Sequence, residues 1–310
     1  MTRVVVATAF GGPEVLSVTE QPLAEPSTGQ ARVRVHAIGV NPVETKVRSG
    51  LFGADPATLP RRLGSEAAGV VTGVGPDTDA VAVGDEVIVF RADGAYAADL
   101  VVAVEELTPK PATLTWEQAG ALMLTGTTAV HALSATAVAD GETVLVHGAS
   151  GGVGLMAVQL AALRGARVLA TASPARHDLL RELGAEPVAY GAGLLDRLRD
   201  LAPDGIDAAL DLVGTDEALD VSLALVAPER IATIANFSRG PGAGVRVLGG
   251  GPGADPGTEV RAAARADLAR LADAGSLRVV VAATYPLEDV ADAHRLIEEG
   301  HTTGKIVLVP

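Results

Sequence analysis

The stretch whose residue types and spacing point most directly to chemistry is Thr143 to Gly154, reading TVLVHGASGGVG. A β-branched and aliphatic run, Val144, Leu145 and Val146, passes into Gly148-Ala149-Ser150-Gly151-Gly152-Val153-Gly154, and an apolar helical pattern (Leu155, Val158, Leu160, Ala161) follows at once. Strand, tight glycine turn and helix is the layout of a dinucleotide-binding βαβ unit. The glycines let the backbone approach a pyrophosphate closely. The free N–H groups and the dipole at the helix start then stabilise its charge. Tight turns also use glycine for steric reasons alone. Here the preceding strand, the following helix and a second strand over 166–171 favour the phosphate-binding reading.

That second strand continues as Thr171-Ala172-Ser173-Pro174-Ala175-Arg176. An NAD site usually carries Asp or Glu at this strand end, to bind the adenosine ribose hydroxyls. No carboxylate stands there. Ser173 can donate to a 2′-phosphate, and Arg176 can supply charge and a bidentate fork, so the pattern favours NADPH. The bland alternative for Arg176 is a solvated helix face. Asp211 ends a later strand, and Phe237 lies in a loop at the next strand end, where a cofactor would pass and where Phe237 could wall a pocket. For Asp211 a structural role is the stronger reading.

These residues must be positioned by the rest of the chain. Its 310 residues exceed the usual size of one domain, and two are expected. A formal net charge of −14 argues against a nucleic-acid or anionic-membrane surface. Cysteine is absent, which excludes disulfides, thiolate zinc sites and thiol nucleophiles. There is no signal-peptide layout and no run of about 20 apolar residues, so a cytoplasmic protein without membrane spans is expected.

Short strands over 3–9, 15–19, 31–38, 67–74, 85–90 and 96–104, with a short helix after Pro42 and a loop over 51–63, predict an antiparallel, barrel-like first region. From Trp116 the pattern alternates. Helices are expected at 116–122, 127–136, 152–164, 175–183, 193–200 and 215–225, and strands at 143–147, 166–171, 187–189, 207–211 and 230–234. Such alternation predicts a parallel sheet covered on both faces. The glycine- and proline-rich 239–257 reads as a flexible connection with one strand at 245–248. An amphipathic helix over 258–273, a strand at 278–284, a helix at 288–298 and a strand at 305–309 complete the chain.

Motifs along nearly the whole length carry a resemblance. They are Gly39-Val40-Asn41-Pro42-Val43-Glu44-Thr45 with Arg48-Ser49-Gly50, Gly64-Ser65-Glu66-Ala67-Ala68-Gly69-Val70-Val71, Gly84-Asp85-Glu86-Val87, the VLVHGASGGVG segment, Leu183-Gly184-Ala185 and Gly304-Lys305-Ile306-Val307-Leu308. In this order they resemble the zinc-independent quinone oxidoreductase branch of the medium-chain dehydrogenase/reductase superfamily. The resemblance implies an α/β fold: a Rossmann doubly wound parallel sheet (116–253) inserted in a GroES-like β-barrel catalytic domain (1–115 and 254–310). The cofactor would lie in the cleft, and two copies would join as a homodimer through Rossmann edge strands. It also implies roles for Tyr190 on the 2′-phosphate, for Thr125 and Thr127 near the nicotinamide, and for Lys305 among the cofactor residues. Thr125 and Thr127 would also make sense as helix caps.

Zinc ligands in related dehydrogenases match Val43 or Glu44 and Ser65 here, and none of the six histidines shows metal spacing, so no metal site is expected. Without a Lewis acid, plain alcohol oxidation loses its activator, whereas reduction of a conjugated acceptor needs less help. Asn41 is the best active-site candidate of the first region, since its amide could orient a substrate oxygen; an Asn-Pro turn is the alternative. Lys46 could stabilise a developing enolate or point to solvent. No convincing general acid is evident, and solvent would protonate the product. The expected function is an NADPH-dependent reductase of a small quinone or α,β-unsaturated carbonyl. Alternatives are an enoyl reductase or tailoring enzyme on a polyketide-like substrate, or a non-catalytic NADPH-binding protein.

Overall fold

The computed structural model describes residues 1–251 and 253–310. Contacts divide the chain into two compact units: Met1–Leu124 with Arg265–Pro310, and Thr125–Ala264.

In the first unit, β1 (Thr2–Ala7) and β2 (Leu16–Gln21) form a hairpin around Gly11-Gly12-Pro13, and the long β3 (Gln30–Val40) leads into α1 (Pro42–Arg48). Pro42 sits at the first helical position, where its missing N–H costs nothing. Within the expected loop 51–63, a two-residue β4 (Arg61–Arg62) pairs with β1. Then come β5 (Glu66–Val74), β6 (Glu86–Phe90), β7 (Asp99–Ala103) and β8 (Leu107–Pro109). β3 shares one edge between two partners. Gln30 to Arg34 pair with β7, while Ile38 to Val40 pair with the last strand of the chain. Its other edge runs along β5. One core unites these strands through Val4, Val33, Ile38, Val71, Val89, Tyr96 and Ile306, all at most 3 % exposed.

α2 (Trp116–Gly120) opens with a reciprocal capping box between Thr115 and Gln118. It packs on β3 and β5, with Trp116 stacked on His36 at 4.4 Å. It therefore stays with the first unit rather than with the expected segment from 116. α3 (Met123–Ala135) carries the chain into the second unit.

There, β9 (Thr143–His147), α4 (Gly152–Leu163), β10 (Arg167–Thr171), α5 (His177–Glu182), β11 (Ala185–Val188), α6 (Leu194–Leu201), β12 (Ala208–Asp211), α7 (Asp216–Leu225), β13 (Ile231–Thr233) and β14 (Arg246–Val247) alternate as expected. The sheet is all parallel, in the order β11-β10-β9-β12-β13-β14. This is the doubly wound order, with β9 at the point where the sequence of strands reverses. Val144, Leu145, Val146 and Ala208 to Leu210 are fully buried, as strands covered on both faces require.

α8 (Thr258–Asp273) spans the boundary between the units. Ala264, Leu268 and Ala272 form its buried stripe. β15 (Val281–Pro286), α9 (Val290–Glu298) and β16 (Lys305–Val309) return the chain to the first unit, where β16 lies between β15 and β3. Among the described residues no helix is long and apolar enough to cross a membrane.

Candidate functional site

In the second unit, β9 delivers the glycine segment to the carboxyl edge of the sheet. Gly148 adopts φ +71°, and a Cβ there would meet Val213 at 3.1 Å. Gly151 begins α4 without any side-chain cap, so the first helical amides keep no partner from a capping side chain. A Cβ on Gly154 would stand 2.3 Å from the Gly148 carbonyl oxygen and 2.6 Å from that of Ala149. The turn closes only because glycine is there. At Gly151 the same test meets nothing nearer than 3.4 Å, so that glycine leaves an open approach to the helix start. The cradle fits a pyrophosphate.

β10 and β11 end side by side, with Thr171 opposite Val188. Ser173 and Arg176 follow one, and Tyr190 follows the other. Neither the Ser173 hydroxyl nor the Arg176 guanidinium has a protein partner among the described residues, and Tyr190 is 57 % exposed. The nearest carboxylate in sequence, Asp178, is held by Arg181 at 2.6 Å. The loop carrying Tyr190 is fastened by a residue that sequence reasoning missed. Arg197 on α6 donates to Ala189 O at 2.8 Å, to Gly191 O at 3.0 Å and to Ala192 O at 2.9 Å. The sequence gives only an arginine seven positions beyond the tyrosine, with nothing to show that it folds back.

Asp211 is fully buried. Its Oδ1 accepts from Gly214 N at 2.7 Å and Val213 N at 3.2 Å, and its Oδ2 accepts from Thr233 Oγ1 at 2.9 Å. It ties together the loops that follow β12 and β13, and burial pushes its carboxyl above the usual range. The Phe237 ring lies against Gly251, where a Cβ would come within 2.6 Å of it. Thr125 and Thr127 are buried in α3. His147, at the end of β9, meets Thr171 Oγ1 through Nδ1 at 3.2 Å, and burial lowers it to about 4.

In the first unit, the structure gives Asn41 and Lys305 a different employment from the expected one. Asn41 is 1 % exposed, and its Nδ2 donates to Gly39 O at 3.3 Å and to Glu66 Oε1 at 3.2 Å. Its Oδ1 accepts from Lys305 Nζ. The ammonium also donates to Val40 O and Glu66 Oε1, both at 2.9 Å. Every polar atom of the Asn41 side chain and all three donors of Lys305 are thus committed inside the protein, because β16, β3 and β5 lie side by side and bring the residues together. Both side chains are held by groups of the protein itself.

Glu66, which sequence reasoning quoted only within a motif, and Glu44, which it weighed only as the counterpart of a zinc ligand, are the buried acids of this unit. Glu44 Oε1 accepts from Ser65 Oγ at 2.7 Å, and Oε2 has no partner. Lys46 is half-buried, 5.8 Å from the Phe52 ring centre, and desolvation lowers its pKa. Zinc does not fit this donor set. An ammonium already occupies the cation position beside Glu66, Ser65 is engaged by Glu44, and among the described residues no group of three His, Cys, Asp or Glu converges.

Two family models match the chain: an alcohol dehydrogenase GroES-like domain over residues 27–111 and a zinc-binding dehydrogenase over 183–308. A quinone oxidoreductase of Pseudomonas aeruginosa is 36 % identical over the full length of both chains. Among solved structures, Escherichia coli quinone oxidoreductase complexed with NADPH is 30 % identical, covers 99 % of this chain and 100 % of its own, and superimposes with a TM-score of 0.86. An NAD-dependent alcohol dehydrogenase is 32 % identical, with 99 % of each chain covered and a TM-score of 0.87. The GroES-like match covers β3 to β8 of the first unit, and the second unit has the doubly wound order, so motifs, topology and relatives agree: the chain belongs to the quinone oxidoreductase family of the medium-chain dehydrogenase/reductase superfamily.

Proposed function

We propose that this protein is an NADPH-dependent reductase of quinones or α,β-unsaturated carbonyls that works without a metal. The observation that carries the reading is the uncapped α4 start over a glycine floor, next to an Arg176 guanidinium with no acidic partner. When bound, NADPH supplies the hydride. The backbone from Gly148 to Gly154 would hold its pyrophosphate. Ser173 and Arg176 would hold the 2′-phosphate, with Tyr190 beside them. Asp211 keeps the two loops at the sheet's carboxyl edge in place without touching the ligand. Thr125 and Thr127 are assigned to the nicotinamide end. Lys46, whose ammonium is weakly solvated, is assigned to the oxygen on which negative charge develops. The Asn41 amide, fully engaged, supports the backbone instead.

A small-molecule acceptor is the expected partner. A homodimer is proposed through the outer edge of β14, the terminal strand of the parallel sheet.

Calorimetric titration with NADPH and NADH, followed by NADPH oxidation against panels of quinones, enones and enoyl thioesters, tests the reading. Tighter binding of NADPH and turnover with the quinones or enones are expected. A preference for NADH overturns the roles of Ser173 and Arg176. Exclusive turnover of thioesters makes the protein an enoyl reductase. Tight NADPH binding with no turnover makes it a non-catalytic binder.

A further inference from the structure

Hydride transfer leaves the acceptor one proton short, and the two buried acids of the first unit are not equivalent as donors. Glu66 is saturated: Oε1 takes Lys305 and Asn41, and Oε2 accepts from Leu124 N at 2.8 Å. Those are the partners of a carboxylate. Glu44 is 3 % exposed, with Ser65 its one hydrogen-bonding side chain among the described residues and Oε2 bare. A buried carboxyl with an unsatisfied oxygen is costly when charged and tolerable when protonated.

The groups facing Glu44 are Ser65 and Glu66 around the start of β5, Lys305 on β16, and Tyr96 before β7. Burial raises its carboxyl to about 7. Ser65 and Lys305 pull in the opposite direction, and Glu66 adds to the rise. Tyr96 in turn is joined to His294 Nε2 at 3.1 Å, and Arg48 Nη1 donates to His294 Nδ1 at 2.9 Å. The tyrosine end is therefore fixed by a neutral imidazole and carries no second charge toward Glu44. Its burial and its bare Oε2 mark Glu44 as the titrating acid. Ser65 is half-buried, and its hydroxyl is the one side chain among the described residues hydrogen-bonded to the hidden Glu44. At 2.7 Å, either oxygen of the pair can carry the shared proton.

Resting on the reductase reading above, we propose that Ser65 and Glu44 form the proton relay that completes the reduction. The hydride brings two electrons to the acceptor carbon, and the acceptor oxygen becomes negative. The Ser65 O–H bond breaks as an O–H bond forms on that oxygen. In the same step the Glu44 O–H bond breaks and its proton goes to Ser65 Oγ. Glu44 is left as a carboxylate, favoured by the nearby Lys305 charge, and regains its proton from water through Ser65 between turnovers. Ser65 is the catalytic residue, and Glu44 acts through it.

The test is NADPH oxidation across pH by wild type, Glu44→Gln, Ser65→Ala and Ser65→Thr, with NADPH affinity and thermal midpoint measured on each. In wild type, kcat should fall as pH rises through about 7. Glu44→Gln and Ser65→Ala should lose about 100-fold in kcat and lose that limb. Their NADPH affinity and folding should stay intact, and Ser65→Thr should restore the limb. An infrared difference band for a protonated carboxyl, titrating with the kinetic limb and missing from Glu44→Gln, reads the same group without turnover. Retention of the limb and of wild-type kcat in Glu44→Gln overturns the relay while leaving the reductase reading standing. Absence of NADPH binding and turnover in wild type overturns both. Loss confined to thermal midpoint and KM makes the pair structural and overturns the relay.

Discussion

Lys305 Nζ lies 2.9 Å from Glu66 Oε1 although 239 positions separate the two residues. The contact joins the last strand of the chain to the head of β5, with Asn41 from the end of β3 linked to both. Both partners are almost without solvent. In such surroundings the pair gains little over an apolar substitute, but removing one member leaves the other charged and unpaired.

Lys305→Met should therefore destabilise the protein by about 3–5 kcal/mol. The double variant Lys305→Met with Glu66→Gln should recover part of that loss. Denaturant midpoints measure both. If Lys305→Met unfolds no earlier but binds NADPH more weakly, the ammonium serves the cofactor, as the resemblance implied, and the structural role is wrong.

The glycine floor separates folding from binding. Gly154→Ala places a methyl 2.3 Å from a backbone carbonyl that cannot yield, so both thermal stability and nucleotide binding should be lost. Gly151→Ala adds a methyl with no contact under 3.4 Å. The fold should survive, and the added methyl should stand only in the way of a ligand, weakening NADPH by about ten-fold or more, equivalent to about 1.4 kcal/mol. Paired thermal scans and titrations decide the matter; unchanged affinity in Gly151→Ala would remove the pyrophosphate from this turn.

Stability should fall in mild acid for a nameable reason. Burial holds His147 at about 4 and His294 at about 3, the latter helped by the Arg48 charge. In the unfolded chain each imidazole titrates near 6.5. Above that pH neither state is protonated, and the full contribution is present. As pH drops below it, the unfolded chain takes up protons that the native state refuses. Stability should decline through the interval down to about 4, with the His294 part declining further to about 3. His147→Gln should flatten the slope of denaturant midpoint against pH between 6.5 and 4; an unchanged slope would mean that His147 is protonated in the fold.

What the sequence made legible was local. The β9 to α4 segment announces itself because Val144 to Val146, the glycines and Leu155 lie within a dozen positions and each obeys its own periodicity. The alternation after Trp116 set the parallel sheet in the same way. β8 was missed because three residues ending in proline are too short to show a period; it survives as an edge strand. β11 begins two residues before its expected start at Pro187, a residue tolerated on the terminal strand of the sheet. Asn41 read as an active-site amide because nothing near it in sequence shows the lysine that claims its oxygen 264 positions later. Glu66 passed as a motif letter, and Glu44 as the counterpart of a zinc ligand, for the same reason. Their burial, and the contrast in their partners, exist only once β3, β5 and β16 are side by side.

Arg197 gives the last prediction. One guanidinium donates to the three carbonyls at Ala189, Gly191 and Ala192, which flank Tyr190 on both sides. Gly191 N is tied as well, to Glu217 Oε2 at 3.0 Å. A 57 % exposed tyrosine has little packing of its own, so its position depends on this backbone clamp. Arg197→Met keeps the aliphatic stem and removes every one of those donors. The loop should loosen, and NADPH should bind about ten-fold more weakly, while NADH, which offers no 2′-phosphate to Tyr190, should change by much less. Tyr190→Phe, which removes only the hydroxyl, should reproduce part of the loss for NADPH and none for NADH. Titrations of both nucleotides with the two variants measure this, and an equal loss for NADPH and NADH in Arg197→Met would show that the clamp supports the sheet edge alone.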